Sequence, residues 1–187
     1  MYGNVITNQQ LRNLLRDNCL SIDPFDDKYL KASAYTLRPG RVLRRGKDGE
    51  YDVVHTFGAR RKTFSLDPNE YVLVEALEKV AIRASGIVGN FSTASTNIEN
   101  GLLIVSGQID SKYGVKGEAL RFGVKNLLDV GNQISNETRL VHLQLIDMRG
   151  SATDPVKSTK ESKDVWRERV NENWAEQHGP NYDAADE

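Results

Sequence analysis

Short apolar runs recur about every ten residues through most of this chain, with glycine or proline between them, and this pattern constrains the fold more than any other feature. Residues 31–37 (KASAYTL) precede the turn signal Arg38-Pro39-Gly40. Residues 41–57 spell a hairpin, RVLRR and EYDVVHTF around Gly46-Lys47-Asp48-Gly49. Residues 64–71 mark a turn, followed by strands at 71–77 (YVLVEAL) and 79–83 (KVAIR). Two later segments alternate with the period of two that a half-buried strand requires. In residues 116–126, Ala119, Arg121 and Gly123 oppose Leu120, Phe122 and Val124. In residues 138–146, Leu140, His142, Gln144 and Ile146 oppose Val141, Leu143 and Leu145. The pattern predicts a mainly β barrel or sandwich.

The ends of the chain differ from this middle. Residues 7–17 (TNQQLRNLLRD) carry a stripe of Leu11, Leu14 and Leu15 behind a capping Thr7 or Asn8, which predicts a short helix stopped before Pro24. Near the other end, Ser158-Thr159-Lys160-Glu161 has capping-box spacing, and Val170, Trp166 and Trp174 fall on one helical stripe. Two tryptophans on such a stripe must cover something, either the barrel or a protein partner. The expected division is a β-barrel domain over residues 1–150, then a helical extension with a disordered acidic tail over residues 151–187.

Composition excludes several classes. The 187 residues suit one core-forming domain, and a net charge of −1 gives no global footprint for nucleic acid. The single cysteine, Cys19, cannot form an internal disulfide, and no cluster has metal-ligand spacing, so no protein-held metal is expected. Without a membrane span or signal peptide pattern, the expected location is cytoplasmic. The basic hairpin and Arg60-Arg61-Lys62 lack interleaved aromatics, so they are read as a solvated edge rather than a nucleic-acid contact. His55, His142 and His178 are read as ordinary hydrogen-bonded histidines.

The chemistry gathers in residues 86–126. A strand, Gly86-Ile87-Val88-Gly89, leads into the hydroxyl-rich turn Ser92-Thr93-Ala94-Ser95-Thr96-Asn97 and closes on Gly101-Leu102. After a second strand, 102–105, comes Gly107-Gln108-Ile109-Asp110-Ser111-Lys112-Tyr113. A lone Asp after a strand, with a Tyr three residues on, has the form of a pocket wall, although Asp also commonly caps a turn.

These residues resemble the dUTPase and dCTP deaminase superfamily. Residues 88–102 (VGNFSTASTNIENGL) are similar to its phosphate-binding strand and turn. Gln108 to Tyr113, followed by Gly117, resembles its G-x-I-D-x-x-Y-x-G element, and residues 138–144 take the place of its late G-D-R-I-A-Q strand. The opening helix with Ile22-Asp23-Pro24-Phe25 is similar to the deaminase N-terminus. The resemblance implies a homotrimer of distorted β-barrels that binds pyrimidine deoxynucleotides. It implies Asp110 as the catalytic carboxylate, with Ser95, Thr96, Gln108 and Tyr113 as nucleotide-binding positions. Any magnesium would be held through nucleotide phosphates. Ala94 and Glu99 stand where the deaminases carry arginines, Thr36 replaces a dUTPase aspartate, and His142 replaces a glutamine. The strand at 119–124 lacks the proton-shuttling glutamate, and Glu118 comes too early. These departures imply lost deaminase chemistry, and the alternative is a non-catalytic structural or protein-interaction trimer that reuses the barrel.

Overall fold

Helix α1 (Asn8–Arg16) begins where a capping box closes it: Thr7 accepts from the Gln10 N–H, and the Gln10 side chain accepts from the Thr7 N–H. It follows strand β1 (Asn4–Val5) and buries Leu11. This computed structural model describes residues 4–47 and 49–149; the expected C-terminal helix and tail lie outside the described residues.

From Leu20 onward the chain is mainly β. In order come β2 (Leu20–Asp23), a single 3-10 turn (Asp27–Tyr29), β3 (Tyr35–Leu37), β4 (Pro39–Arg45) and β5 (Tyr51–Thr56). Next are β6 (Thr63–Leu66), β7 (Tyr71–Ala76), β8 (Lys79–Ile82) and β9 (Ile87–Thr93). Helix α2 (Ser95–Glu99) precedes β10 (Leu102–Val105), β11 (Gln108–Ile109), β12 (Arg121–Asn126), β13 (Asn132–Ser135) and β14 (Val141–Asp147). Every pairing is antiparallel. One five-stranded sheet runs β1-β14-β9-β11 with β3 also on β14, and a second runs β10-β12-β7-β4-β5. Two ribbons, β13-β6 and β2-β8, complete the frame.

The core lies between the two sheets. Tyr35, Leu143 and Leu145 from the first sheet and Val42, Val74, Phe122 and Val124 from the second are almost wholly buried in one cluster. Phe91 meets Phe122 edge to face at 5.0 Å between ring centres, joining β9 to β12 across the interior. The alternation in β14 holds: Val141, Leu143 and Leu145 are buried, while His142, Gln144 and Ile146 are half-buried on the other face.

Several boundaries differ from the sequence-based expectation, each for a local reason. The strand at 31–37 is only Tyr35–Leu37, because the Lys31 N–H bonds to Ala34 O at 2.8 Å and makes a turn. Pro39 and Gly40 open β4 instead of ending a strand; a bulge there brings Gly40 against Leu77, where a Cβ would lie 2.9 Å from the backbone. Ser92 and Thr93 complete β9, and Ser95 onward is helical, so the hydroxyl cluster is a strand end plus one helical turn. The segment at 64–71, expected as a turn, contains most of β6. Two arginines of the basic hairpin form ion pairs within the chain, Arg41 with Glu75 and Arg44 with Glu70, while Arg45 donates to the neutral Gly49 O. Glu78, with a fully buried side chain, is held by the Arg38 Nε at 2.6 Å and by the Arg38 backbone N–H at 2.8 Å.

Candidate functional site

Strand β9 organises the candidate site because it is paired on both edges. Against β14, Ser92 faces His142 and Asn90 faces Gln144; against β11, Asn90 faces Gln108. Directly opposite residues share a sheet face, so the outer face carries two polar rows. One is Thr36–His142–Ser92 across β3, β14 and β9, and the other is Gln144–Asn90–Gln108 across β14, β9 and β11.

In the first row Thr36 Oγ1 and His142 Nδ1 are hydrogen-bonded at 3.0 Å. Burial, reinforced by the nearby positive charges of Lys31 and Arg139, holds the His142 imidazole below its ordinary pKa. The pair is therefore neutral where the resemblance would place a carboxylate.

Asp110 sits at the head of a well-fixed turn. The Tyr113 N–H returns to Asp110 O at 3.1 Å, with Lys112 in the left-handed region at φ 71°. Ser111 Oγ donates to Ile87 O at 2.8 Å, and the Ile82 N–H donates to Tyr113 O at 2.9 Å, so the turn is tied to both β9 and β8. The Asp110 residue itself is exposed. Tyr113 is half-buried against the core, its hydroxyl donates to Ala119 O at 3.2 Å, and burial pushes its pKa up. Gly114 is indispensable here, since a Cβ would lie 1.8 Å from Val80 O and φ is +75°.

Ser95 and Thr96 are exposed at the start of α2, and Ala94 before them is buried to 2% exposure. Glu99 is exposed at the far end of α2. Helix α2 is anchored by the buried Asn97, whose Nδ2 donates to Arg139 O at 2.7 Å and Leu140 O at 3.0 Å. The sequence reading missed this tether. Glu118 is exposed and accepts the Lys116 backbone N–H at 3.1 Å, so it does not supply a carboxylate on β12.

Register decides which of the expected residues meet. Ile109 pairs with Gly89, which puts Asp110 beside Val88, whereas Ser95 follows the other end of β9. Five residue steps of extended strand lead from Val88 to Thr93, roughly 16 Å, before the chain turns into α2. Within one chain Gln108, Asp110 and Tyr113 form one group, and Ser95 and Thr96 another at the opposite end of the strand. Among the described residues no group of three or more His, Cys, Asp or Glu could hold a metal ion, and no helix is long and apolar enough to cross a membrane.

This fold has solved counterparts. The 2′-deoxycytidine 5′-triphosphate deaminase from Agrobacterium tumefaciens superposes with a TM-score of 0.60 at 10% sequence identity, over 79% of this chain and 49% of that one. The present chain thus spans about half the length of that deaminase. A Staphylococcus bacteriophage 80alpha dUTPase mutant bound to dUpNHpp gives 0.49 at 16% identity, over 78% of this chain and 99% of that one. A dUTPase mutant from phage phi11 of S. aureus, with a coordinated structural Mg(II) ion, gives 0.44 at 19% identity, over 77% and 98%. No curated protein sequence matches the chain. The dCTP deaminase-like family model matches residues 5–148, which takes in α1, the Asp110–Tyr113 turn and all of β14: the chain belongs to the dCTP deaminase-like family.

Proposed function

We propose that this protein is a homotrimer that binds pyrimidine deoxynucleotides between neighbouring copies. The observation that carries the reading is the separation of the two groups along β9. Asp110 with Tyr113 lies at one end and Ser95 with Thr96 at the other, so a sugar seated on Tyr113 is well separated from Ser95 of the same chain. A ligand held between two copies would take Tyr113 from one and Ser95 from the other. On this reading Tyr113 offers its ring to the sugar, Asp110 orients a water or a sugar hydroxyl, and Ser95 donates to phosphate. Magnesium would enter with the nucleotide phosphates, since Thr36 and His142 offer a neutral pair in place of a carboxylate. A cytoplasmic location goes with this function.

Hydrolysis of the triphosphate through Asp110 is the activity this arrangement serves; deamination lacks its proton carrier, as β12 has no acid. A second reading, a non-catalytic structural trimer, is favoured by the buried Ala94 and by Glu99, whose charge opposes phosphate.

Mixing tests the shared site. Ser95→Ala and Asp110→Asn chains, each unable to bind dUTP or dCTP alone, should regain roughly a quarter of the sites when unfolded and refolded together as mixed trimers. Absence of any recovery, with wild-type chains binding normally, would show that the two groups do not share a ligand. A thermal-shift panel with magnesium decides between the two readings: stabilisation by a pyrimidine deoxynucleotide at tens of micromolar supports the pocket, and no shift with any nucleotide leaves only the structural trimer.

A further inference from the structure

We propose that the concavity beside the Asp110–Tyr113 turn is a binding subsite for a polyphosphate. The cavity has a volume of about 560 Å³ and is lined by Arg83, Lys112, Val115, Lys116 and Glu118. That size lies within the range of small-molecule sites. Its cations are placed by backbone geometry. Two turns follow each other, one closed by Tyr113 N–H to Asp110 O at 3.1 Å and the next by Gly117 N–H to Gly114 O at 3.0 Å. Each turn presents a lysine, Lys112 or Lys116, at its third position. Both turns are held down by the close approach of Gly114 to Val80.

Arg83 also lines the concavity. Its backbone N–H bonds to Cys19 O at 2.8 Å, and its guanidinium donates to Asn18 Oδ1 at 3.1 Å. Asn18 is a neutral partner, so the Arg83 charge is steered without being cancelled. Neither Lys112 nor Lys116 forms an ion pair among the described residues. Glu118 is the one acid in the lining, and its carboxylate is turned to the Lys116 backbone N–H at 3.1 Å. Three cations against one carboxylate in a small concavity attract an anion with several oxygens, and an arginine fork beside two ammonium groups suits a chain of phosphates. The site gives the chain, on the Asp110 side, positive charge that Ala94 and Glu99 do not provide on the Ser95 side.

Whether the polyphosphate is free or part of a nucleotide rests on the reading above, and the experiment separates the two. The full 187-residue chain is titrated calorimetrically with inorganic tripolyphosphate, with dUTP and dCTP, and with the nucleosides deoxyuridine and deoxycytidine. Lys112→Ala/Lys116→Ala is compared with wild type and with Lys62→Ala, an exposed lysine lost elsewhere. Both target side chains are exposed, so circular dichroism should show an unchanged fold. The expected result is tripolyphosphate binding that weakens with added salt and falls about tenfold or more in the double variant only. Equal affinity in the double variant and wild type, or no tripolyphosphate binding by wild type, overturns the subsite. If tripolyphosphate and the nucleotides each bind both proteins equally well, the subsite fails while the nucleotide reading stands. If tripolyphosphate binds and the nucleotides do not, the subsite stands and the nucleotide reading fails.

Discussion

Thr36 and His142 lie directly opposite each other on β3 and β14, and their side chains are joined by a 3.0 Å hydrogen bond although 106 residues separate them. They are two positions at which the chain departs from the dUTPase pattern, and they depart together as one contact. The buried threonine hydroxyl and the half-buried, neutral imidazole satisfy each other where a lone carboxylate would need a cation.

That contact has a pH signature. His142 is held below its ordinary value of 6.5, chiefly by burial. The folded state then binds fewer protons than the unfolded one, so this contribution to stability is complete above the unfolded value and is lost as pH falls towards the folded one. Urea midpoints of wild type and His142→Gln should converge or cross as pH drops below about 6.5, with wild type losing more. Parallel midpoint curves across that window would remove His142 as the cause.

Gly114→Ala should destabilise the fold by at least about 2 kcal/mol in equilibrium unfolding, since the new methyl meets a carbonyl oxygen in a left-handed backbone position. A loss below about 0.5 kcal/mol, the range of ordinary surface substitutions, would mean that the turn relaxes without cost.

Glu78→Ala removes the partner of Arg38, whose own side chain is only 14% exposed. Breaking a buried ion pair from one side leaves the other charge stranded, and a loss on the order of 3 kcal/mol is expected from denaturant titration. Glu78→Gln, which keeps an acceptor for the Arg38 N–H, should cost less. A Glu78→Gln loss as large as that of Glu78→Ala would show that the charge, and not the acceptor, holds Arg38 there.

Asp110→Asn should leave stability within about 0.5 kcal/mol, because the turn is closed by the Asp110 backbone carbonyl and the residue is exposed. Any pyrophosphate release from dUTP or dCTP by wild type should vanish in this variant. A retained rate would take Asp110 out of the chemistry.

Light scattering at micromolar concentration should report three chains per particle. A monomer would remove the basis for a ligand bridging two copies.

The mainly β character, helix α1 with a cap at Thr7 or Asn8, the 41–57 hairpin and the alternation of β14 were all legible in the residue order. Each depends on periodicity or on local hydrogen bonds within a few residues. Strand β13 was not legible: its sequence, Asn-Gln-Ile-Ser, has one apolar residue, Ile134, and becomes a strand only because β6 pairs with it. The Pro39–Gly40 bulge was hidden for the same reason, since a neighbouring strand, not the local sequence, makes it part of β4.

For the site, the sequence alone marked Ser95, Asp110 and Tyr113 as candidates and exposed the altered Thr36, Ala94, Glu99 and His142. Only the tertiary structure decided which of them are neighbours. Cross-strand register joined Thr36 to His142, lined up Gln144, Asn90 and Gln108, put Asp110 and Ser95 at opposite ends of β9, and brought Arg83 beside Lys112 and Lys116. Antiparallel pairing links residues by strand register rather than by chain distance, so these adjacencies have no counterpart in the local pattern of a single strand.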